Sequence, residues 1–387
     1  MGNCKICGEE NCKKHSFLLG KTRSVQEFSG SSPPEIFVGR WNYPNVYAGI
    51  LSPEEYGNTE IMSSAELWQQ NKLSIPEILS NRNKLIYGRT QAQIKKPQQS
   101  KFLSAFREVA MTHKSIAAEF KLKKPISKNK ENDPKVPLIS NAADISSVRL
   151  QENASVKPKV DYLVNDTDAK STSSMLELDK SGIATSNIVK LLSAGLLGLR
   201  ANRKLVPTRW SITAVDDTIS REKLKKIRYF PEIQNIEVFH GEYLGNHYEF
   251  ILLPEKWSFE VIEISTKNMG VWHDYESFFP RKNYAESVTG GYYSARLPVT
   301  EYLEKIKKQA SVLVLREVRP EYSSPLGVGI LRQTCREAFS KTPEKFSTLQ
   351  DAFSSVSSRL TINIDNFLQK AIILQNYGKQ KKISQFF

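Results

Sequence analysis

Three cysteines and one histidine lie close together at the start of the chain, and this cluster constrains the fold more than any other feature of the sequence. Cys4, Cys7, Cys12 and His15 follow the spacing C-x2-C-x4-C-x2-H, which brings four donors within reach of one tetrahedral Zn²⁺ ion. A disulfide is the alternative, but the remaining cysteine, Cys335, is distant in the chain and the polar N-terminus does not resemble a secretory signal. We therefore predict a zinc knuckle over residues 1–16. Because the protein would supply all four ligands, the zinc would be structural and not catalytic.

The composition indicates a globular chain with a polyanionic partner. The 387 residues are 40% apolar, which is enough to build sizeable cores, while the net charge is +14 and the isoelectric point is near 9.4. A positive field concentrates ligands that carry phosphate, and DNA is the ligand that we favour. No run approaches the roughly 20 apolar residues that span a bilayer. We expect a cytoplasmic protein that has no contact with a membrane.

The alternation of strand-like and helical patterns predicts an α+β fold. The runs EIFV and NVYAGI read as short strands, and the sequence from Ser63 to Glu119 reads as helical. Three strand-like runs between Asn235 and Ser265 predict an antiparallel meander within a large mixed α/β body. A helix, the strand SVLVLREV and further helices follow, so we predict a smaller C-terminal region that is α-rich.

A long connection is predicted in the first half of the chain, over residues of about 121–160. No aromatic residue occurs between Phe120 and Tyr162, while lysines and prolines accumulate there. A stretch that buries little apolar surface cannot offset the entropy that is lost on ordering. We therefore expect an extended surface linker that is flexible around Ser127 to Asp133.

Two segments combine basic and aromatic side chains and are candidates for nucleic-acid contact. The first is the predicted turn RWNY, from Arg40 to Tyr43; an aromatic turn that packs on the core is the alternative. The second is the central block, in which Trp210 follows four basic residues, Arg200, Arg203, Lys204 and Arg209. Cations hold the DNA backbone and a ring can stack on a base, whereas a solvated helix face would need neither function.

Acidic residues offer two further candidates. Asp216 and Asp217 follow the strand-like run SITAV and could hold a divalent cation, although we favour Asp217 as the N-cap of a second helix. His273 stands next to Asp274 and near Glu276, which is a possible acid–base pair, but a buried and hydrogen-bonded histidine is more common. The catalytic residues, if the protein has any, stay unknown at this stage.

The last eight residues, QKKISQFF, fit the pattern Q-x-x-[ILM]-x-x-[FY]-[FY] through Gln380, Ile383, Phe386 and Phe387. The three apolar side chains fall on one side of a single helical turn, while the lysines face outward. Such a turn could insert into a hydrophobic pocket on a partner. The pattern resembles the PIP box with which replication and repair proteins bind the sliding clamp PCNA.

With these residues in place, the whole chain resembles the archaeal Nre family. The likeness runs in order through the knuckle CKICGEENCKKH, the block LLSAGLLGLRANRKLVPTRWSITAVDDTIS, the stretches GGYYSARL and PLGVGILRQTCREAF, and the terminal PIP box. It implies DNA damage repair and association with PCNA, and it implies no secure catalytic site. The corresponding division is a knuckle at 1–16, an N-terminal Nre region at 17–270, a C-terminal Nre region at 271–378 and a PIP-box tail at 379–387. A metal-dependent DNA-processing enzyme and an adaptor that joins PCNA to another repair protein are the alternatives.

The zinc prediction can be tested by metal analysis of the purified chain. We expect about one zinc per chain, and we expect Cys7→Ser to loosen the knuckle and little else, because a closed site mainly stabilises its own turn. A chain that holds no zinc under non-chelating conditions, with all of its thiols free, would contradict this prediction.

Overall fold

The structure is a computed structural model that describes residues 25–95, 100–128, 135–139 and 141–379. The four predicted zinc ligands and the predicted PIP box therefore lie outside the described residues. Two compact units are present in the described part of the chain. The first comprises residues up to Ile219 together with Ser323–Gly329, and the second comprises Ser220–Tyr322 and the residues from Ile330 onward.

The first unit is built on a seven-stranded mixed sheet in the order β1-β5-β7-β4-β3-β2, with β6 paired to β7. Most neighbouring strands are antiparallel, but β4 and β7 run parallel. The strands are β1 (Glu27–Ser32), β2 (Ile36–Val38), β3 (Asn45–Ser52), β4 (Ile86–Gln93), β5 (Ile116–Leu122), β6 (Ser127–Lys128) and β7 (Asn141–Leu150). The helices are α1 (Ala65–Gln70), α2 (Ile75–Lys84), α3 (Lys101–Met111), α4 (Pro158–Asn165), α5 (Ser171–Lys180) and α6 (Thr185–Ser193), and α7 (Thr208–Ile227) contains the boundary with the second unit.

The second unit is built on a six-stranded mixed sheet in the order β11-β10-β12-β9-β8-β13. Its strands are β8 (Ile236–Tyr243), β9 (Asn246–Leu253), β10 (Ser258–Ser265), β11 (Val271–Glu276), β12 (Ser311–Val318) and β13 (Glu344–Phe346). The helices from here to the C-terminus are α8 (Gly290–Ile306), α9 (Val328–Ser340), α10 (Leu349–Ser357), α11 (Asp365–Leu368) and α12 (Ile372–Asn376). None of the helices in the described ranges is both long and apolar enough to cross a membrane.

The predicted α+β class is confirmed, and so are the strands predicted at EIFV, NVYAGI and SVLVLREV, although β2 begins only at Ile36. The predicted meander is wrong in its last step. β8 and β9 form an antiparallel hairpin, but β12 lies between β9 and β10, and β10 runs parallel to it. β12 is buried at seven of its eight positions, and so an interior place in the sheet suits it better than an edge. Order in the sequence therefore does not give the order of strands here.

The run SITAV, predicted as a strand, lies inside the single helix α7, and Asp217 is in the middle of that helix instead of at its N-terminus. Its β-branched residues suggested a strand. However, Ile212, Val215 and Ile219 are all buried, and their spacing of three and four residues is that of one helix face. Tertiary packing along this face outweighs the local β-propensity.

The predicted linker at about 121–160 is wrong for much of its length, because it contains the interior strand β7. Ala142, Ala143 and Ile145 are almost completely buried there, so small side chains build this part of the core without any aromatic residue. From residue 129 to residue 133, the predicted flexible stretch lies outside the described residues. The helical reading of Ser63 to Glu119 is also interrupted, since β4 and the start of β5 fall within it.

Two buried glutamates fasten the C-terminal segment to the second sheet. Glu249 of β9 accepts two hydrogen bonds from the guanidinium of Arg359, at 2.8 and 2.9 Å. Glu317 of β12 accepts the backbone N–H groups of Thr361 and Ile362, at 2.8 and 2.6 Å. Both carboxylates are inaccessible to solvent, so these charge-assisted bonds replace water that the carboxylates would otherwise bind.

A third buried glutamate continues this pattern. Glu260 of β10 accepts the backbone N–H groups of Ile372 and Ile373, both at 2.8 Å, at the first turn of α12. Just beyond α12, the N–H of Gly378 donates to the Glu255 side chain at 2.9 Å. The chain is therefore held against the second unit up to the end of the described residues.

A candidate nucleic-acid interface

Two segments that are far apart in the sequence meet at one end of the first sheet. Ile94, which directly follows β4, donates its N–H to the carbonyl of Pro44 at 3.1 Å, and its own carbonyl accepts the N–H of Leu205 at 3.0 Å. A second link joins the N–H of Val38, the last residue of β2, to the hydroxyl of Thr208 at 2.9 Å. The turn between β2 and β3 and the segment before α7 are thus bonded to the same framework.

Aromatic rings from the two segments touch each other. The ring centroids of Tyr43 and Trp210 are 5.2 Å apart, with an angle of 58° between the ring planes. Trp41 lies in the same turn as Tyr43, and the Arg40 guanidinium lies over its ring, 4.4 Å from the centroid. We call residues 40–44 together with 204–210 the aromatic-basic face.

These three rings are unusually open to solvent for their size. Trp41 is 57% exposed, Tyr43 46% and Trp210 44%, whereas Trp68 in the same unit is fully buried. The turn between the two strands is tight, and Asn42 takes a left-handed conformation at φ 61°, which asparagine tolerates better than most residues. The geometry of the turn places its aromatic residues outside the core.

Arg203 differs from the neighbouring basic residues because its guanidinium is bonded to backbone carbonyls of the protein. Nε donates to the carbonyl of Gly198 at 2.8 Å, Nη1 to that of Val164 at 2.7 Å and Nη2 to that of Asp166 at 2.7 Å. Burial lowers the pKa of the Arg203 guanidinium from its usual value, and the charge of Asp166 opposes this shift. Arg203 thus joins the end of α4 to the segment that follows α6.

Two of the other three predicted DNA contacts are more accessible than Arg203. Arg200 begins a short 3-10 helix and is exposed, and so is Lys204. Arg209 lies in the first turn of α7, beside Trp210, and is half-buried. Lys204 and Arg209 therefore belong to the aromatic-basic face, and Arg200 lies just before it in the chain. Arg203 holds this segment in place through its bonds to backbone carbonyls.

A buried lysine holds the segment that leads into β2. Lys190 of α6 is 8% exposed, and its ammonium group donates to the backbone carbonyl of Pro34, just before β2. Burial lowers the pKa of Lys190, and Glu35 is the strongest of the acidic neighbours that oppose this shift. This contact fixes the start of β2 relative to α6, and β2 leads directly into the aromatic turn.

Comparison with known proteins decides where the chain belongs. The family model described as Archaeal Nre, N-terminal, matches residues 3–273, and the model described as Archaeal Nre, C-terminal, matches residues 276–386. The chain belongs to the archaeal Nre family. The resemblance found in the sequence is confirmed.

Curated Nre relatives match almost end to end. DNA repair protein NreB of Archaeoglobus fulgidus is 32% identical over 98% of this chain and 97% of the relative. DNA repair protein NreA of the same organism is 34% identical over 99% of this chain and 96% of the relative. DNA repair protein NreA of Haloferax volcanii is 32% identical over 92% of this chain and 88% of the relative. No solved structure matches the chain.

The Nre matches and the compact units divide the chain at different places. The two family models meet between residues 273 and 276, within β11, whereas the compact units separate at Ile219, within α7. The whole aromatic-basic face falls inside the N-terminal Nre match and inside the first unit. The face is therefore complete within a single unit.

The surroundings of the acidic candidates favour a role in holding the fold over a role in catalysis. Asp216 and Asp217 are buried within α7, and no group of three or more potential metal-binding side chains occurs in the ranges that the structure describes. His273 Nε2 lies 2.6 Å from the carboxylate of Glu260, which also holds the start of α12. The histidine therefore helps to position the glutamate that holds the C-terminal segment.

The two carboxylates near this histidine bind different partners. Asp274 accepts the backbone N–H groups of Ser287 and Val288, at 3.0 and 2.7 Å. Glu276 pairs with the buried Arg296 at 3.0 Å. The three side chains do not converge on a common site, which favours the hydrogen-bonded reading of this cluster over an acid–base pair.

The sequence identifies both segments as candidates for nucleic-acid contact, but it does not predict that Tyr43 pairs with Trp210. One sequence feature links the two segments, since each contains an Arg-Trp dipeptide, Arg40-Trp41 and Arg209-Trp210. That repetition suggests a shared role but carries no distance. The pairing of β2, β3 and β4, the bonds of Ile94 and the bond from Val38 to Thr208 bring the two segments together.

Replacing Arg203 should cost stability, whereas replacing its neighbour should not. Arg203→Ala leaves three backbone carbonyls without their donor, so we expect the free energy of unfolding to fall by about 2–4 kcal/mol. Lys204→Ala is the matched control, with an expected change within about 0.5 kcal/mol. Urea denaturation measures both. Equal stability of the two variants would show that the Arg203 bonds do not support the fold.

Proposed function

We propose that this chain is a DNA repair protein that holds DNA through its aromatic-basic face and reaches its place of action by binding the sliding clamp PCNA. Membership of the Nre family supports the repair role, because the three relatives are named DNA repair proteins. The observation that carries the DNA contact is the meeting of two basic and aromatic segments on one exposed face. A protein with this role would act on the chromosome, in the cytoplasm.

The charges of the aromatic-basic face and of the residues next to it in the sequence suit the DNA backbone. Residues 39–45 and 200–210 contain no aspartate or glutamate, and they contain five basic residues, namely Arg40, Arg200, Arg203, Lys204 and Arg209. The chain as a whole carries a net charge of +14, so the long-range attraction has the same sign as the local one. Arg200, Lys204 and Arg209 would contact phosphates, while Arg203 would keep the segment in place. Such contacts give affinity without sequence preference.

The DNA contact predicts a defined loss of salt dependence. In the double variant Arg200→Ala/Lys204→Ala, the slope of log affinity against log salt should become shallower by about 2, since each lost phosphate contact removes about one unit. The loss of affinity should be similar for unrelated DNA sequences. Arg203 is left intact so that folding is not disturbed.

The matched control removes two exposed lysines of the second unit, Lys305→Ala/Lys370→Ala, and so makes the same change in net charge. If both double variants alter the salt slope equally, the effect is one of net charge alone and the proposed face is wrong. Binding is measured by fluorescence anisotropy across a salt titration.

Clamp recruitment rests on the terminal motif and on the bonds that hold the chain just before it. Gln380, Ile383, Phe386 and Phe387 follow the PIP-box pattern, and the C-terminal Nre match runs to residue 386. The bond from Gly378 to Glu255 holds the chain just before the motif begins. In the sequence the motif directly follows this bonded part of the chain, and PCNA would bind it there.

Removal of the motif should abolish clamp binding and leave stability unchanged. We expect Phe386→Ala/Phe387→Ala to lose PCNA binding, and a peptide of the last residues to bind PCNA alone at roughly micromolar strength, because part of the burial gain is lost to ordering. Ser384→Ala/Gln385→Ala changes positions that the motif leaves open and is the control. Calorimetry with purified PCNA measures binding. A marked fall in melting temperature on removal of Gln380–Phe387 would mean that the phenylalanines fill the protein's own core, which would contradict the clamp reading.

The N-terminal cluster completes the proposal as a structural zinc site. Three thiolates and one imidazole form a donor set that Zn²⁺ prefers, and with Cys4, Cys7, Cys12 and His15 all bound the ion would have no open position. The zinc would stabilise the knuckle and take no part in a reaction. Lys13 and Lys14 would lie at its edge and add to the positive charge of the chain.

A further inference from the structure

We propose that Tyr43 and Trp210, with Trp41 beside them, form a stacking site for unpaired DNA bases. This inference rests on the proposed DNA contact and adds the form of DNA that the face prefers. Phosphate contacts alone do not distinguish single strands from duplex, whereas exposed rings do. The site would give the protein a preference for single-stranded stretches, gaps or frayed ends.

Exposure of the rings is the first argument. Tyr43 and Trp210 touch each other at 5.2 Å between centroids, yet each keeps nearly half of its surface open to solvent. Large aromatic side chains are usually buried, as Trp68 and Trp257 are in this chain. A group of three exposed rings at one end of a sheet is typical of a binding surface and not of a core.

The second argument is that only an unpaired base offers what these rings can bind. In a duplex, neighbouring base pairs cover both faces of each base, and the rings could reach only the edges in the grooves. In a single strand, the face of a base is free to stack on a tyrosine or a tryptophan, whatever the sequence. The two rings are tilted by 58° and in contact, so a base would stack on an outer face of the pair and not between the two rings.

The rings are held in place before any ligand arrives. The turn that bears Tyr43 is bonded through Pro44 to Ile94, and the helix that bears Trp210 begins at Thr208, whose hydroxyl is bonded to β2. Side chains that are already ordered lose less entropy on binding. This arrangement suits a site that recognises the shape of a base without forming sequence-specific hydrogen bonds.

The charges around the rings favour nucleic acid over a protein partner. Arg40 lies over the ring of Trp41, which keeps a positive charge close to the position of a stacked base. Lys204 is exposed on the same face, and the two segments contain no acidic residue. A base stacked on these rings would carry its own phosphate toward these cations.

The experiment compares three DNA ligands on the full chain. The ligands are a single-stranded oligothymidine, an abasic oligonucleotide with the same number of phosphates, and a duplex of matched charge. We expect the parent chain to bind oligothymidine roughly tenfold more tightly than the abasic strand, which is within the range for base–aromatic stacking. Quenching of tryptophan fluorescence should accompany the binding of oligothymidine and be weaker with the abasic strand.

Ring variants then assign this preference to the site. Tyr43→Ala and Trp210→Ala should each lose most of the preference while they keep the affinity of the parent for the abasic strand. Tyr43→Phe should retain the preference, because it keeps the ring and loses only the hydroxyl. Trp272→Ala removes a tryptophan of the second unit that is 37% exposed and is the matched control.

The outcomes separate this inference from the proposed function. Equal affinity of the parent chain for the oligothymidine and the abasic strand overturns base stacking and leaves the phosphate contact intact. Failure to bind any of the three ligands overturns the proposed DNA contact itself. If the ring variants fold and keep the full preference for bases, the rings are not the site, and a protein partner is the better reading of this surface. If the alanine variants do not fold, the comparison of ligands on the parent chain still decides whether the protein stacks unpaired bases.

Discussion

The two backbone hydrogen bonds of Ile94 are the interactions on which the aromatic-basic face depends. Its side chain is almost completely buried, and both of its backbone polar groups are bonded, the N–H to Pro44 and the carbonyl to Leu205. A buried backbone group that loses its partner costs free energy, so these two bonds fix the positions of both neighbouring segments. Without them, the turn after β2 and the segment before α7 would be joined through the bond from Val38 to Thr208 and the contact of Tyr43 with Trp210. The face is thus a consequence of how β4 ends.

Some of this organisation was readable from the sequence, and some was not. Short apolar runs bounded by turn residues correctly gave β2, β3 and β12, because a strand that packs against a core needs such a run. SITAV was misread because β-branched residues suit strands and can also line a buried helix face, as Ile212 and Val215 do. The meander failed for a different reason. The strand that completes the sheet, β12, arrives late in the sequence, and pairing between distant segments leaves no local signal.

The candidate site shows the same limit at the level of single residues. Composition located both segments of the face, but it could not separate Arg203 from Lys204, which are adjacent and carry the same charge. The difference between them is that three carbonyls, contributed by Val164, Asp166 and Gly198, surround the guanidinium of Arg203. A planar group with several donors can satisfy such a set, whereas an ammonium group cannot match its geometry. The role of a basic residue is therefore decided by its acceptors, and these come from elsewhere in the chain.

The row of buried glutamates in the second sheet has a consequence for the reach of the C-terminus. Because Glu260 and Glu255 hold the chain at α12 and at Gly378, the last eight residues start from a defined point on the second unit. Fully extended, eight residues span at most about 28 Å. If a partner bound the last residues, as proposed, the second unit would stay within that distance of it, which corresponds to an effective local concentration on the order of millimolar. Three carboxylate-to-backbone hydrogen bonds near the end of the fold thus fix the point from which this distance is counted.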